Sequence, residues 1–365
     1  MIPISLPFLK REEQRAVAKV LARGSILTNG PLVETFEKEV ARLIRVRYAV
    51  AVSSGTAALH LALLACGIGP SDEVIVPAYT FPASANAVAL TGAKPILCDI
   101  ETRTFNIDPR LILPLITSKV RAILPVHLFG LPAKMDEITY LCRRFNLHLI
   151  EDAACALGAT FKGRMVGSFG LVSCFSFHPR KVITCGEGGM IVTNHRPLAE
   201  IVRSLRDHGK EMRNARMDFV VPGFNYKLSE IHAALGLAQL KRLSRLIFLR
   251  RLCASRYHKA LGDLPGIQLP RETEGYLHTY QSYVIYCDSP RLAKKIIAGM
   301  QSQGVESLFG TYALPGLSYY RKPGLDLNQS KKAQSCSVTL PLYPGMKRKD
   351  FDRVVSSLRR IVQGG

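Results

Sequence analysis

The stretch that decides the fold class is residues 172–193, which read VSCFSFHPRKVITCGEGGMIVT. Two β-rich runs, Val172–Phe177 and Met190–Thr193, flank a turn that contains Lys181 and a Gly-rich segment. Glycine limits the steric bulk around such a turn, and a lysine partly withdrawn from water loses some of its preference for the charged form. Lys181 can therefore act as an amine nucleophile, although a plain surface lysine is the common alternative for any lysine taken alone.

Strand-like runs of the same kind recur outward from this stretch over residues 48–194, and amphipathic helical patterns separate most of them. Strand–helix alternation predicts βαβ units and a mostly parallel sheet that is covered by helices on both faces. The predicted strands are Tyr48–Val52, Glu73–Val76, Lys94–Cys98, Ala122–Val126, Leu147–Ile150, Val172–Phe177 and Met190–Thr193, and the predicted helices are Thr56–Cys66, Pro82–Leu90, Pro109–Ile116 and Met135–Phe145.

The pattern changes after about residue 240, and this change predicts a second domain. We predict a large α/β domain over residues 1–240, with an outer N-terminal helix at Arg11–Arg23, and a smaller α+β domain over residues 241–365. The predicted elements of the smaller domain are a long basic helix, a strand at Tyr283–Cys287 and helices at Pro290–Gln301 and Lys349–Val362.

The composition of the chain indicates its cellular compartment and excludes several classes of protein. The chain has 365 residues, of which 47% are hydrophobic, so it can bury a large core. Its first ten residues do not resemble a signal peptide, and the longest apolar helical run, Leu59–Ile68, is about half of a membrane span. The nine cysteines include no C-x-x-C pair, which argues against disulfides and a zinc site. We expect a cytoplasmic protein without a metal or a membrane partner.

The formal net charge of +21 is the unusual property of the chain. Seven basic residues and no acidic one lie between Lys241 and Lys259, where Leu240, Leu243, Ile247 and Leu252 recur roughly at helical spacing. This pattern predicts a helix with one buried face and a solvated basic face. Positive charge can attract nucleic acid, an anionic membrane or a phosphorylated small substrate. Because no nucleic-acid-binding module is recognisable, we expect no nucleic-acid partner.

Three further segments carry small or polar residues at positions where parallel α/β sheets bind ligands. Ser53–Thr56 ends a strand and opens a helix, whose first N–H groups can approach a phosphate. Leu149–Ala154 ends in acids, of which Asp152 can either face a ligand or cap a helix. Pro222–Glu230 runs into a helix, and Asn225 within it suits a turn or an N-cap. Each segment taken alone has an ordinary structural explanation.

Together, and in this order, the segments resemble the DegT/DnrJ group of sugar-nucleotide aminotransferases, which are fold-type I pyridoxal-phosphate enzymes. The most specific part is the F-S-F-H-x-x-K…G-E-G-G run with E-D-A-A upstream, and the resemblance covers nearly the whole chain. It implies the fold-type I architecture: a mostly parallel seven-stranded sheet flanked by helices, plus a smaller C-terminal α+β domain. Other matching segments are Gly24–Pro31, Ser54–Leu59, Pro125–Gly130 and Leu340–Met346.

The resemblance also implies a role for each matched residue. Lys181 would bind pyridoxal phosphate as a Schiff base and then move the proton, and Asp152 would keep the pyridine nitrogen protonated. Phe81 would stack on the ring, and Asn225 would reach the phosphate in the neighbouring subunit, which implies a homodimer with shared active sites. The matched cofactor-binding residues are Ser54, Gly55, Thr56, Phe81, Asp152, Cys155, Ser176, Lys181 and Asn225.

Two positions depart from the family pattern. Cys155 stands where a Gln or His usually contacts the phenolic oxygen of the cofactor, and a thiol is a weak donor. Residues Leu308–Pro315 lack the histidine of a His-Tyr-Pro-like segment beside the sugar. The resemblance implies an aminotransferase that moves an amino group from an amino acid, glutamate in the common case, to a keto-sugar nucleotide. A pyridoxal-phosphate-binding regulator remains an alternative, as does a sugar dehydratase, although dehydratases of this group lack the lysine.

Overall fold

The computed structural model describes residues 1–24, 26–321 and 327–364. Ser25, which belongs to the matched segment Gly24–Pro31, lies outside the described residues. The strands of the first 219 residues are β1 (Tyr48–Val52), β2 (Glu73–Pro77), β3 (Tyr79–Thr80), β4 (Lys94–Cys98), β5 (Val120–Ile123), β6 (His148–Asp152), β7 (Thr160–Phe161), β8 (Arg164–Met165), β9 (Val172–Ser176), β10 (Gly189–Thr193), β11 (Lys210–Arg213) and β12 (Arg216–Phe219).

A seven-stranded sheet in the order β1-β10-β9-β6-β5-β2-β4 forms the centre of this region. Strands β4, β2, β5, β6 and β9 run parallel, whereas β10 is antiparallel to both of its neighbours. The mostly parallel seven-stranded sheet predicted from the sequence is confirmed. Because β10 is antiparallel to β9, the loop that joins them stays at the carboxyl end of β9, where the parallel strands also end. This loop contains Lys181.

Helices cover both faces of the sheet. The helices before residue 241 are α1 (Arg11–Arg23), α2 (Pro31–Ile44), α3 (Gly55–Ala65), α4 (Ala83–Leu90), α5 (Met135–Arg144), α6 (Arg196–Arg206) and α7 (Glu230–Leu240). Strand β1 contributes to the cores on both faces, because Val50 and Val52 pack under α3, α4 and α6, while Ala49 and Ala51 pack under α2 and α7. No helix of the described residues is both long and apolar enough to cross a bilayer.

The α-helix predicted over Pro109–Ile116 is wrong. This segment forms two separate 3₁₀ turns, Pro109–Leu111 and Leu113–Leu115. Pro114 lacks the N–H that a continuous α-helix needs at that position, and its ring conflicts with the preceding turn. Short 3₁₀ turns tolerate a proline at their start.

The C-terminal part contains a second core. Its elements are α8 (Leu243–Leu261), β13 (Ile267–Gln268), β14 (Tyr276–Leu277), β15 (Tyr283–Cys287), α9 (Pro290–Ser302), β16 (Tyr312–Ala313), α10 (Asn328–Cys336), β17 (Ser337–Leu340) and α11 (Arg348–Gln363). Strands β15 and β17 pair antiparallel, β13 pairs with β15, and α9, α11 and the end of α8 pack against this sheet. Strand β14 pairs with β7, and β16 pairs with β3, so both strands dock onto the large sheet region.

Helix α8 connects the two cores. Leu243 and Leu246 at its start pack in a core of the large sheet, whereas Tyr257 and Leu261 at its end pack in the C-terminal core. The division of the chain after residue 240 therefore falls just before a helix that both cores share, and it stays a prediction. The buried face also differs from the prediction, because Arg250 is buried and Leu252 is 48% exposed.

The first residues of the chain belong to the C-terminal core. Ile2 donates its N–H to the Gly304 carbonyl at 2.8 Å and accepts from the Glu306 N–H at 2.9 Å. Its side chain is buried among residues of that core. The Ile4 carbonyl accepts from the Leu342 N–H at 3.1 Å. The chain thus starts in the C-terminal core, builds the large sheet and returns through α8.

Candidate active site

Asp152 ends β6 with a buried carboxylate that is held on both oxygens. Its Oδ2 accepts a hydrogen bond from the Ser84 hydroxyl at 2.7 Å, and its Oδ1 accepts from the Ala154 N–H at 3.1 Å. The Ser84 hydroxyl lies 3.1 Å from the Thr80 hydroxyl. Because a turn and not a helix follows Asp152, helix capping does not explain this residue. The arrangement fixes the rotamer of an acid at the ligand-binding edge of the sheet.

The preceding acid, Glu151, points to the opposite face of β6, since successive strand residues alternate. It accepts a hydrogen bond from His127 Nε2 at 3.0 Å and from the Gly167 and Gly170 N–H groups at 2.8 and 2.7 Å. Burial alone would raise the Glu151 pKa, but these hydrogen bonds hold it below its ordinary value. Every partner is part of the fold, so Glu151 is a structural acid.

The amine of Lys181 meets Cys155 at the same edge. Lys181 Nζ lies 3.2 Å from Cys155 Sγ, within hydrogen-bonding distance for sulfur. The backbone around Lys181 is a tight turn, because the Lys181 N–H donates to the His178 carbonyl at 2.9 Å. Cys155 follows Asp152 by three residues, and β9, which leads to Lys181, pairs with β6. The structure therefore brings the predicted lysine and the segment that ends in the predicted acid together.

Glycines allow the start of α3 to approach the end of β9. A Cβ on Gly55 would lie 2.7 Å from the Ser176 Cβ, and a Cβ on Gly189 would collide with the Ser54 carbonyl. Ser54 caps α3, because its hydroxyl accepts from the Ala57 N–H at 3.1 Å. The N–H groups of the first helical turn have no acceptor within the helix. The N–H groups of Gly55 and of the following residue, Thr56, are thus available to an anion, with the Ser176 hydroxyl next to them.

Phe81 and Asn225 lie at the surface of the described chain. The Phe81 ring is 62% exposed and packs edge-to-face on Tyr312, with 6.2 Å between ring centroids. The side chain of Asn225 is exposed as well. Asn225 does not cap α7, because Ser229 does so by accepting from the His232 N–H at 3.3 Å. The structure therefore removes the capping explanation for Asn225.

These features fit pyridoxal phosphate. A buried, fixed carboxylate suits a protonated ring nitrogen, a glycine-lined helix start suits a phosphate, and the Lys181 amine contacts Cys155 in the turn that follows Asp152. No group of His, Cys, Asp or Glu side chains among the described residues could hold a metal ion. A cleft of about 1060 Å³ lies elsewhere, between residues 100–111 and 258–286, and none of the predicted site residues lines it.

Comparison with known proteins decides the family. The profile of the DegT/DnrJ/EryC1/StrS aminotransferase family matches residues 7–359. The chain belongs to this family. It is accordingly a pyridoxal-phosphate-dependent aminotransferase, and the fold type, the cofactor and the enzyme class predicted from the sequence are confirmed.

Solved structures agree over the full length of the chain. The aminotransferase TlmJ from Streptoalloteichus hindustanus is 30% identical, with a TM-score of 0.95 over 100% of this chain and 99% of its own. DesV from S. venezuelae is 34% identical, with a TM-score of 0.91 over 98% of each chain. The putative sugar aminotransferase Spr1654 from Streptococcus pneumoniae, in its PMP-form, is 28% identical, with a TM-score of 0.93 over 100% of this chain and 98% of its own. Spr1654 has also been solved in a PLP-form.

Sequence reasoning missed Thr80 and Ser84, which fix Asp152. Both are buried polar residues, and Ser84 lies in α4, where the other buried residues are Ala85, Ala87 and Val88. A buried hydroxyl needs a hydrogen-bond partner, so a serine on the apolar face of a predicted helix is a signal for a polar contact. The partner, 68 residues further along the chain, could not be read from the local sequence.

Proposed function

We propose that this aminotransferase transfers an amino group from glutamate to a keto-sugar nucleotide, as a homodimer in the cytoplasm. The likeness to the putative sugar aminotransferase Spr1654 supports a sugar acceptor. The formal net charge of +21 supports a substrate that carries phosphate groups, because a positive field raises the local concentration of anions. The meeting of the Lys181 amine with the segment that carries Asp152 is the observation on which the site assignment rests.

Lys181 is the proposed cofactor lysine and proton carrier. Pyridoxal phosphate, when bound, supplies an electron sink for the electron pair left at the substrate Cα. The Lys181 amine, once free, would take the proton from the substrate Cα and deliver it to the cofactor atom C4′. Its partner, Cys155, forms only a weak hydrogen bond at 3.2 Å, so the amine can leave it at small cost.

Asp152 is the proposed partner of the ring nitrogen. Its carboxylate is buried, and the hydroxyl of Ser84 and the N–H of Ala154 fix its orientation while leaving lone pairs free. A carboxyl group in this place would keep the ring nitrogen protonated, because pairing with an opposite charge disfavours loss of that proton. Ser84 acts through Asp152 and is a positioning residue.

The remaining residues are proposed to hold the cofactor in place. The N–H groups of Gly55 and Thr56 and the hydroxyl groups beside them donate to the phosphate, and Phe81 stacks on the ring. A dianionic phosphate needs more donors than one helix start supplies, and Asn225 of a second copy of the chain is proposed to add one. The proposed phosphate residues are Ser54, Gly55, Thr56, Ser176 and the second copy's Asn225.

A two-stage spectroscopic assay tests the proposal. Glutamate should change the absorbance of the holoenzyme, and a panel of keto-sugar nucleotides should then be screened for the member that restores it. Lys181→Ala should respond to neither addition, whereas Lys162→Ala, which alters an exposed lysine paired with Asp136, should behave as wild type. If simple keto acids restore the absorbance and no keto-sugar nucleotide does, the acceptor proposal is wrong although the cofactor chemistry stands.

A further inference from the structure

Arg250 is a buried guanidinium with only backbone acceptors. Its Nη1 donates to the carbonyls of Tyr280, Gln281 and Leu342 at 3.4, 3.1 and 3.4 Å. Its Nη2 donates to the carbonyl of Lys181 at 3.4 Å. None of the described carboxylates is among its acceptors, and its Nε has no partner among the described residues. The side chain thus links the loop that carries Lys181 to two segments of the C-terminal part.

The stability of the folded protein does not by itself explain why an arginine is buried at position 250. Burial lowers the Arg250 pKa to about 10, so the guanidinium is still charged at neutral pH. Removing a charged group from water is unfavourable, and replacing buried ionic groups by apolar side chains of similar volume is often neutral or stabilising. The hydrogen bonds of Arg250, which a methionine or leucine could not make, are therefore expected to have a role other than stability.

Gln281 makes a second contact with the same loop. Its buried amide Nε2 donates to the carbonyl of Arg180 at 2.7 Å. The carbonyls of Arg180 and Lys181 are the two that flank the Cα of Lys181. Arg250 holds one and Gln281 holds the other, while Arg250 also binds the backbone of Gln281. The two side chains together fix the peptide planes on both sides of the proposed cofactor lysine.

We infer that Arg250 and Gln281 are positioning residues that orient the Lys181 backbone so that its amine reaches the cofactor. The inference rests on the proposed assignment of Lys181. A lysine side chain has four rotatable bonds. Fixing the direction of the Cα–Cβ bond therefore lowers the conformational entropy that is lost when the amine bonds to the cofactor. Reactive groups need placement within about 0.5 Å, and supporting side chains provide it. The position of the lysine then depends on how the C-terminal part packs against the loop.

A double-mutant cycle on cofactor affinity tests this inference without any turnover. Equilibrium dialysis of pyridoxal phosphate against apoprotein gives Kd for wild type, Arg250→Met, Lys181→Ala and the double variant. We expect Arg250→Met to weaken binding by about tenfold when Lys181 is present, and by less than about twofold when residue 181 is alanine, because Arg250 acts through that lysine. Gln281→Leu should give the same pattern with a smaller effect, and it remains testable if Arg250→Met does not fold.

Arg242 provides the matched control. It lies just before α8 and pairs with Glu13 at 2.7 Å, so Arg242→Met removes the same charge and side chain without touching the Lys181 loop. Its Kd should equal that of wild type. Arg250→Lys keeps the charge but has one ammonium group in place of the planar guanidinium, so it should recover only part of the lost cofactor affinity.

The outcomes separate the explanations. An equal loss of affinity in both residue-181 backgrounds, or full recovery by Arg250→Lys, would show a general structural or charge effect and overturn the inference. No loss for either Arg250→Met or Gln281→Leu would overturn it too. If wild-type protein binds the cofactor without forming a reducible bond to Lys181, the assignment of Lys181 is wrong. If that bond forms but the effects of the two substitutions are independent, only the positioning role of Arg250 and Gln281 is wrong.

Discussion

The amine of Lys181 lies 3.2 Å from the sulfur of Cys155. One of the two departures from the usual family sequence, Cys155, therefore touches the proposed cofactor lysine. A thiol hydrogen-bonds weakly, so the Lys181 amine has a weaker hydrogen-bond partner in Cys155 than an amide or imidazole side chain would be. Support at its backbone, from Arg250 and Gln281, becomes correspondingly more important.

We expect iodoacetamide to label Cys155 selectively in the apoprotein, and pyridoxal phosphate to protect it. Seven of the nine cysteines are buried, and burial raises the pKa of the partly exposed Cys66 to about 12, which keeps that thiol protonated and unreactive. Peptide mass spectrometry measures the labelled fraction. Equal labelling of Cys155 with and without the cofactor would mean that this thiol does not border the cofactor site.

Borohydride reduction of the holoenzyme should place the pyridoxyl group on Lys181. The reason is the position of this amine beside the segment that carries Asp152. Peptide mapping after reduction identifies the modified residue. Modification of Lys162 or Lys210 in place of Lys181 would contradict the site assignment, and Lys181→Ala should leave no reducible bond.

Asp152→Asn should retain the cofactor but lower kcat by about 10²- to 10³-fold, the usual cost of removing one preorganised electrostatic contact. Ser84→Ala leaves the carboxylate in place and frees its rotamer, so its loss should be smaller, about tenfold. Cofactor content by absorbance and kcat by steady-state assay distinguish the two effects. A near wild-type rate for Asp152→Asn would mean that another acid serves the ring nitrogen.

Glu151→Gln should lower the free energy of unfolding at pH 7 by about 1–3 kcal/mol, since it disturbs a buried network. The folded-state pKa of Glu151 lies below its ordinary value of 4.5. The ionised acid therefore contributes stability above that value, and the contribution is lost as pH falls through the folded-state pKa. Urea unfolding at pH 7 and below pH 4.5 should show the difference shrinking. The exposed Glu34→Gln should show no difference at either pH.

Mixed dimers test the shared site. Lys181→Ala and Asn225→Asp subunits should each be inactive alone, the second because an added carboxylate repels the phosphate. After exchange of equal amounts, half of the dimers are mixed, and each has one intact site of two, so about a quarter of the wild-type activity should return. Activity that stays at the level of the separate variants, with exchange proven by mass spectrometry, would refute sharing.

The sequence predicted the sheet and the lysine loop well because both have local signals. Strand runs are continuous and apolar, and the Gly-rich loop after β9 is distinctive. Helix α2 was overlooked although Val33, Phe36, Val40 and Ile44 recur at helical spacing. Its Pro31 at the first helical position was an additional start signal.

The error at α8 has a different cause. Leu240, Leu243, Ile247 and Leu252 suggested one buried face, whereas the structure buries Leu243, Leu246 and Arg250. An arginine can lie on a buried face only when distant groups satisfy it, and its acceptors are 30 to 92 residues away. Ser84 and Asp152 pose the same difficulty. Polar contacts between remote segments have no periodicity, so a single sequence does not reveal them.

The pairing of Ile2 with residues 304–306 has a consequence for biosynthesis. The backbone partners of Ile2 are encoded about 300 codons later, which at 5–20 residues per second is about 15–60 s of translation. During that time the backbone groups of Ile2 and Ile4 lack the partners that they have in the folded protein. The contacts that fix Ile2 and Ile4 in the C-terminal core therefore form only after residues 304–306 and Leu342 have been made. A chain truncated before residue 304 would leave the backbone groups of Ile2 and Ile4 without these partners.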